Sequence, residues 1–232
     1  QGRKSLVELL KDNKINLLKK SLGGFLMRIK KEVFEKELKY DGQIILKYTI
    51  EYPQIIEEKW IEGIKNFNEY NYQRAKMLKS ISEGELFKEA KETYEYNKKN
   101  GYPIMVYEVY STFEITYNTE QMVSLYIDDY IYRGGAHGNT KRTSQTWDFR
   151  IGKMVPLKNF FVNDENYVSK IVTDINNFIG QDIDNGNNIY FENYCCLTIQ
   201  YFNVNNYYLQ DGYIIIYYQQ YDIAPYSSGI LT

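Results

Sequence analysis

The sequence predicts an α+β fold in which antiparallel sheets pack with helices in two intimately associated subdomains. Three observations carry this. Runs of period-two alternation give way to helical periodicity and return, in the order β, α, β, α, β. Turn signals join neighbouring alternating runs directly, as antiparallel hairpins require. At 232 residues the chain is also long enough to bury a real core.

Taken in order, Ser5 to Lys20 sets Leu6, Leu9, Leu10, Leu17 and Leu18 among lysines, and Gly23-Gly24 ends it, as in an amphipathic helix. From Phe25 to Tyr40 the pattern is strand-like, and Asp41-Gly42 signals a hairpin. Ile44, Leu46, Tyr48, Ile50 and Tyr52 then alternate with more polar residues until Pro53 ends the strand. A helix carries Trp60, Ile64 and Phe67 on one face, with Met77, Leu78 and Ile81 further along. Ser82 and Glu85 read as a capping box opening a second helix, which Asn100-Gly101 closes. Strands over Met105–Tyr117 and Val123–Ile131 come next, turned at Asn118-Thr119-Glu120. Another presents Trp147, Phe149 and Ile151 on one side before a turn at Gly152-Lys153. Asn163 or Asp164 caps a helix with Val168, Ile171, Val172, Ile175, Phe178 and Ile179 in one stripe, ending near Gly180. Strands near Leu197–Phe202 and Tyr207–Gln210 lead through Asp211-Gly212 to Tyr213–Tyr218. The expected units are an amphipathic helix or added flank over 1–23, an α+β domain over 24–118 and a second over 119–232.

Composition narrows the function. Twenty-five tyrosines against four prolines is unusual, and tyrosine-rich surfaces serve in recognition. Residues 1–40 hold eleven Lys/Arg against five Asp/Glu, whereas beyond Lys170 there is no cation and six acids. The acidic C-terminal quarter argues against nucleic acid and suits a cationic partner or calcium. No run is long and apolar enough to span a membrane, and no signal-peptide pattern opens the chain. It begins at Gln1-Gly2 without Met, as a trimmed chain does, which leaves room for a removed signal or anchor. Cys195 and Cys196 are adjacent, a spacing at which an internal bridge is strained.

Tyr130 to Asn139 holds three glycines and the single histidine. Such glycines supply positive φ or close backbone approach between two packed strands. Two readings fit: a lone His137 presented to a ligand, metal or partner, and a tight structural turn. No P-loop, dinucleotide fingerprint, HExxH, nucleophile elbow or CxxC occurs. With one histidine a His-rich catalytic zinc site is excluded, and no cofactor or structural metal is expected. Asp182-x-Asp184 before Gly186 has hard oxygen ligands at alternate positions but the wrong register for an EF-hand. Alternation sends Asp128 and Asp129 to opposite faces, against a shared-proton dyad.

Three stretches carry a family resemblance. The run from Tyr130 to Asn139, the Trp147–Lys153 turn followed by Pro156-Leu157 and Phe160-Phe161, and the ending Tyr221-Asp222-Ile223-Ala224-Pro225-Tyr226-Ser227-Ser228-Gly229 resemble the C-terminal half of the extracytoplasmic domain of RsiV-like anti-sigma factors. Ile50-Glu51-Tyr52-Pro53-Gln54-Ile55 resembles the preceding domain, shared with the N-terminal part of the peptidoglycan deacetylase PdaC. The resemblance covers residues 24–232. It implies a non-enzymatic recognition domain outside the membrane of a Gram-positive cell, at the surface or secreted, that binds lysozyme or another cationic protein. The alternative is an accessory module that binds peptidoglycan without catalysis. PdaC's deacetylase domain, whose metal site needs more than one histidine, has no counterpart here. The candidate partner-binding residues are Tyr132, Arg133, Gly134, Gly135, Ala136, His137, Gly138, Asp211, Asp222 and Tyr226.

Overall fold

The computed structural model describes residues 26–58, 60–210 and 212–232. The helix expected over Ser5–Lys20, and Asp211 of the candidate site, lie outside these described residues.

A hairpin opens the main sheet. β1 (Ile29–Tyr40) and β2 (Gln43–Ile55) meet at Asp41 and Gly42, whose φ angles of 49° and 78° suit the right-handed twist of paired strands. The chain then crosses over through α1 (Ile61–Ile81), a π-helical stretch (Ser82–Leu86) and α2 (Phe87–Asn100). Gly101, at φ 71°, ends the crossover. β3 (Tyr107–Asn118) therefore returns parallel to β2, as a helical crossover imposes. β4 (Met122–Tyr132), β5 (Asn139–Asp148) and β6 (Lys153–Met154) continue antiparallel, giving a six-stranded sheet in sequence order.

Alternation divides the sheet. Tyr48, Ile50 and Tyr52 of β2, with Val109, Leu125 and Ile127, are buried on the helix side. Lys47, Thr49, Tyr110, Tyr126, Asp128 and Tyr130 take the other face and are only half-buried. On the helix side Phe67 sits with no exposed surface between the edge-on rings of Trp147 and Phe149, 5.7 and 5.9 Å away. A buried polar chain runs beside it: Trp147 Nε1 donates to Gln145 Oε1 (2.7 Å), and Gln145 Nε2 donates to Asn71 Oδ1 (2.8 Å). Each of these groups has a partner, so burial costs them little.

The C-terminal part adds α3 (Tyr167–Asp184), α4 (Tyr194–Tyr201) and the hairpin β7 (Tyr207–Gln210) and β8 (Tyr213–Ile216). Ile171, Ile175, Ile179, Leu209, Ile216 and Ile223 share its core. β7 lies on the sheet face opposite the helices. There Leu209 N–H donates to Ser124 Oγ (2.9 Å), and the Ser144 hydroxyl donates to the carbonyl of Tyr207 (2.5 Å).

Several sequence expectations are corrected. Ser82 opens no helix: it is buried in helical geometry, and its hydroxyl donates to the Leu78 carbonyl (2.8 Å), the back-bond a mid-helix serine makes. The π-helical stretch absorbs the irregularity instead. Pro53 does not end β2 but pairs with Lys31 inside it; β3 reaches only to Ile50, so the other edge is open where the proline lacks its N–H. Leu197–Phe202 is mostly the helix α4, since a short apolar run does not separate strand from helix. Thr198 fixes that choice by donating to Asn176 Oδ1 (2.7 Å) on α3. α3 begins at Tyr167, after a turn in which Asp164 accepts from Asn166 N–H (3.1 Å), and passes through Gly180 to Asp184. Ile151 is 59% exposed because the chain has left β5 by that point.

Candidate functional site

The site forms where the connection between β4 and β5 meets the chain's last residues. Residues 133–138 link Tyr132 to Asn139, and two glycines explain their path. Gly134 has φ 84°, and a Cβ there would lie 2.9 Å from Met105 Cβ. At Gly138 a Cβ would fall 2.3 Å from Tyr130 Cζ, so the Tyr130 ring occupies the space a side chain would need. The loop is thus a shaped turn, and it leaves His137 exposed. Gly135 and Ala136 are exposed beside it.

His137 Nδ1 lies 2.9 Å from the Gly138 carbonyl, which only accepts, so Nδ1 is the donor of that bond. Its ring stacks on Tyr226, 3.8 Å between centroids and 18° between planes. Tyr221 is a third ring, 5.7 Å from Tyr226 and 52% exposed. Among the described contacts no nucleophile or carboxylate bonds the imidazole.

Side-chain amides hold the C-terminal segment in place. β5 is paired on this side only at Trp147 and Asp148, leaving an open backbone edge near Thr140 and Arg142. Gln219 closes it by accepting from Arg142 N–H (2.9 Å) and donating to the Arg142 carbonyl (2.7 Å). Gln220 Oε1 accepts from Thr140 N–H (2.9 Å). These bonds replace a missing strand and protect the edge from other chains. Buried Ile223 and Ala224 anchor the segment beyond, and Pro225 turns Tyr226 back to His137.

Not every candidate is open to solvent: Gly138 is buried and Asp222 only partly exposed. Asp222 is turned inward and accepts from Gln219 N–H (2.7 Å), so it shapes the segment that carries Tyr226. Burial raises its carboxyl above the usual range, against the pull of that hydrogen bond. The folded state thus holds this proton more tightly than the unfolded state, and the ionised group costs stability as pH rises through its shifted range. Asp222→Asn, which keeps an acceptor, is expected to leave stability at neutral pH equal or slightly higher, with the wild type gaining on it in acid. Urea melts at two pH values check this. Arg133 pairs with Glu89 of α2 at 3.4 Å, tying the loop to the helices. Tyr132 stands at the end of β4 opposite Glu108.

Asp128 and Asp129 do take opposite faces. Asp129 accepts from the Ser111 hydroxyl (2.6 Å) and pairs with Arg74 on the helix side. Asp128 receives a two-point hydrogen bond from Arg142 (2.8 and 2.7 Å), whose guanidinium lies 3.7 Å over the Tyr126 ring. Asp182 is not a loop ligand: within α3 it accepts from Asn187 (2.6 Å) and the Tyr190 hydroxyl (2.9 Å). Among the described residues no three His, Cys, Asp or Glu side chains converge as metal ligands do. Sequence reasoning missed Tyr221, Gln219 and Gln220. Only their clustering between Tyr217 and Tyr226 hinted at a shared surface.

Comparison with known proteins bears on this geometry. Residues 38–140 match the family model described as deacetylase PdaC, and residues 158–232 match that of a protein of unknown function, DUF3298. No curated protein matches the chain. A DUF3298 family member from Bacteroides fragilis has the same fold at a TM-score of 0.66 and 16% identity, over 90% of this chain and 89% of that one. A DUF3298 family protein from Pseudomonas aeruginosa gives 0.52 at 16% identity, over 89% of each. The chain is thus similar to a PdaC-type region followed by a DUF3298 region, and it shares its fold with solved DUF3298 family structures.

Proposed function

We propose that this chain is an extracytoplasmic protein-recognition domain that acts by binding, with lysozyme as its partner, in the manner its resemblance to RsiV-like anti-sigma factors implies. The observation that carries this is the three-ring shelf of His137, Tyr226 and Tyr221, presented beside a glycine loop and braced by Gln219 and Gln220. Rigid aromatic groups give large contact area at low entropy cost, which is why they anchor interfaces. A preorganised shelf also spares the ordering cost of a mobile loop. One matching family model bears the name of a deacetylase, yet His137 is the single histidine of the chain and its ring is committed to Tyr226 and Gly138. A peptidoglycan-binding module is the second reading, favoured by the exposure of Tyr221, since such a ring also stacks on sugars.

Titration calorimetry with hen lysozyme tests the first reading. One-to-one binding is expected, weakened about tenfold or more by Tyr226→Ala, as for an anchor residue. Lysozyme that fails to bind, together with soluble peptidoglycan fragments that shift the Tyr221 and Tyr226 resonances, would replace it with the second.

A further inference from the structure

The sheet face opposite the helices is not fully covered by the C-terminal part. β7 rests on it at Ser124 and Ser144, and the rows beyond stay half-open. One row runs Glu35, Thr49, Tyr110, Tyr130, Thr140 across five strands. The rings of Tyr110 and Tyr130 lie 6.2 Å apart in it, and Val33 nearby is 41% exposed. Tyr130 joins this surface to the candidate site, because its ring fills the space left by Gly138.

Charge on the face has a definite sign. Three of its cations are each matched by a carboxylate, Lys31 with Glu51 (2.7 Å), Lys47 with Glu108 (2.8 Å) and Arg142 with Asp128 (2.7 Å), while Lys39 on the same side of β1 is exposed with none in the described contacts. Glu35, Glu37 and Glu114 remain, all exposed and without a cation in the described contacts. Glu114 accepts from the Tyr126 hydroxyl, a neutral donor that leaves its charge in place. Such an excess of carboxylates repels phosphates and anionic membranes. It also disfavours a second copy set face to face, where like charges would meet.

We infer that this half-open sheet face is an acidic, tyrosine-lined docking surface for a basic protein, continuous with the His137–Tyr226 shelf. The identification of lysozyme as that protein rests on the function proposed above; the sign and chemistry of the surface do not. Tyr110, Tyr130 and Tyr132 supply apolar contact, while Glu35, Glu37 and Glu114 select a cationic partner and speed its approach.

The test compares the wild type with Glu35→Lys/Glu37→Lys and with Tyr226→Ala, using hen lysozyme and poly-L-lysine as probes at low and moderate salt. Both glutamates are exposed on β1, and Glu37 stands opposite Lys47, so the double variant sets like charges across that pair and is expected to stay folded while melting slightly below the wild type. The expected result is lysozyme binding that falls about tenfold or more in the double variant, with the gap narrowing as salt rises. Equal lysozyme binding by the double variant, with loss in Tyr226→Ala, would overturn the docking face and leave the recognition reading intact. Poly-L-lysine bound by the wild type and released by the double variant, without lysozyme binding, would keep the face and remove lysozyme as partner. If neither probe binds, or if the wild type self-associates through this face in sedimentation, the inference is wrong.

Discussion

Phe67→Ala is expected to lower the free energy of unfolding by about 3–5 kcal/mol, the range for truncating a fully buried aromatic residue. The side chain has no exposed surface, and the Trp147 and Phe149 rings meet it edge-on. Collapse into the cavity is obstructed on two sides. Trp147 is tied by its indole N–H to Gln145, which is bound in turn to Asn71. Phe149 is held against α1 at Gly63, where even a Cβ would lie 2.6 Å from the Phe149 carbonyl oxygen. The walls therefore stay where they are, and the cost falls toward the upper part of the range. Urea denaturation with an unchanged m value checks it, with Ile151→Ala as a control expected within about 0.5 kcal/mol because Ile151 is 59% exposed.

Asp128→Asn is expected to cost roughly 2–4 kcal/mol. Removing one partner of a wholly buried ion pair costs about 3–5 kcal/mol, and this pair is somewhat screened, its side chains being 13% and 22% exposed. The loss is nevertheless large for a surface pair, because Arg142 would keep its charge over the Tyr126 ring with one carboxylate fewer. Arg142 also receives Gln219 along its backbone, so a displaced β5 edge would loosen the segment carrying Tyr226. Arg142→Lys keeps the charge and loses the fork, and is expected to fall between wild type and Asp128→Asn. By contrast, Lys47→Ala breaks a more exposed pair with Glu108 and is expected to change stability by less than about 1 kcal/mol. Denaturation of the three variants side by side ranks them.

Local signals made much of this architecture legible. Alternation located β1 to β4 but only the Trp147 end of β5, and Asp41-Gly42 and Asn100-Gly101 marked a hairpin and a helix end that the φ angles confirm. Period two also placed Asp128 and Asp129 on opposite faces. The features that stayed hidden depend on contacts distant in sequence. Ser82 looks like a cap until Leu78 is seen to take its hydroxyl in a continuous helix. Residues 197–202 have a strand's composition, and only the bond from Thr198 to Asn176 on α3 decides for helix. At the site, the glycine loop and the closing Ala224-Pro225-Tyr226 were each conspicuous, yet nothing local predicts that His137 stacks on Tyr226. Asp222 misled for the same reason: net charge counts a carboxylate without showing that it faces its own backbone.

The most direct test of a recognition surface built from the aromatic shelf and the open sheet face is an NMR titration of the isotopically labelled chain with hen lysozyme. Shift changes are expected at residues 133–140, 221–229 and on β1 and β4, with little change on the outer side of α3. Changes confined to α3 and α4, or none at saturating lysozyme, would contradict such a surface.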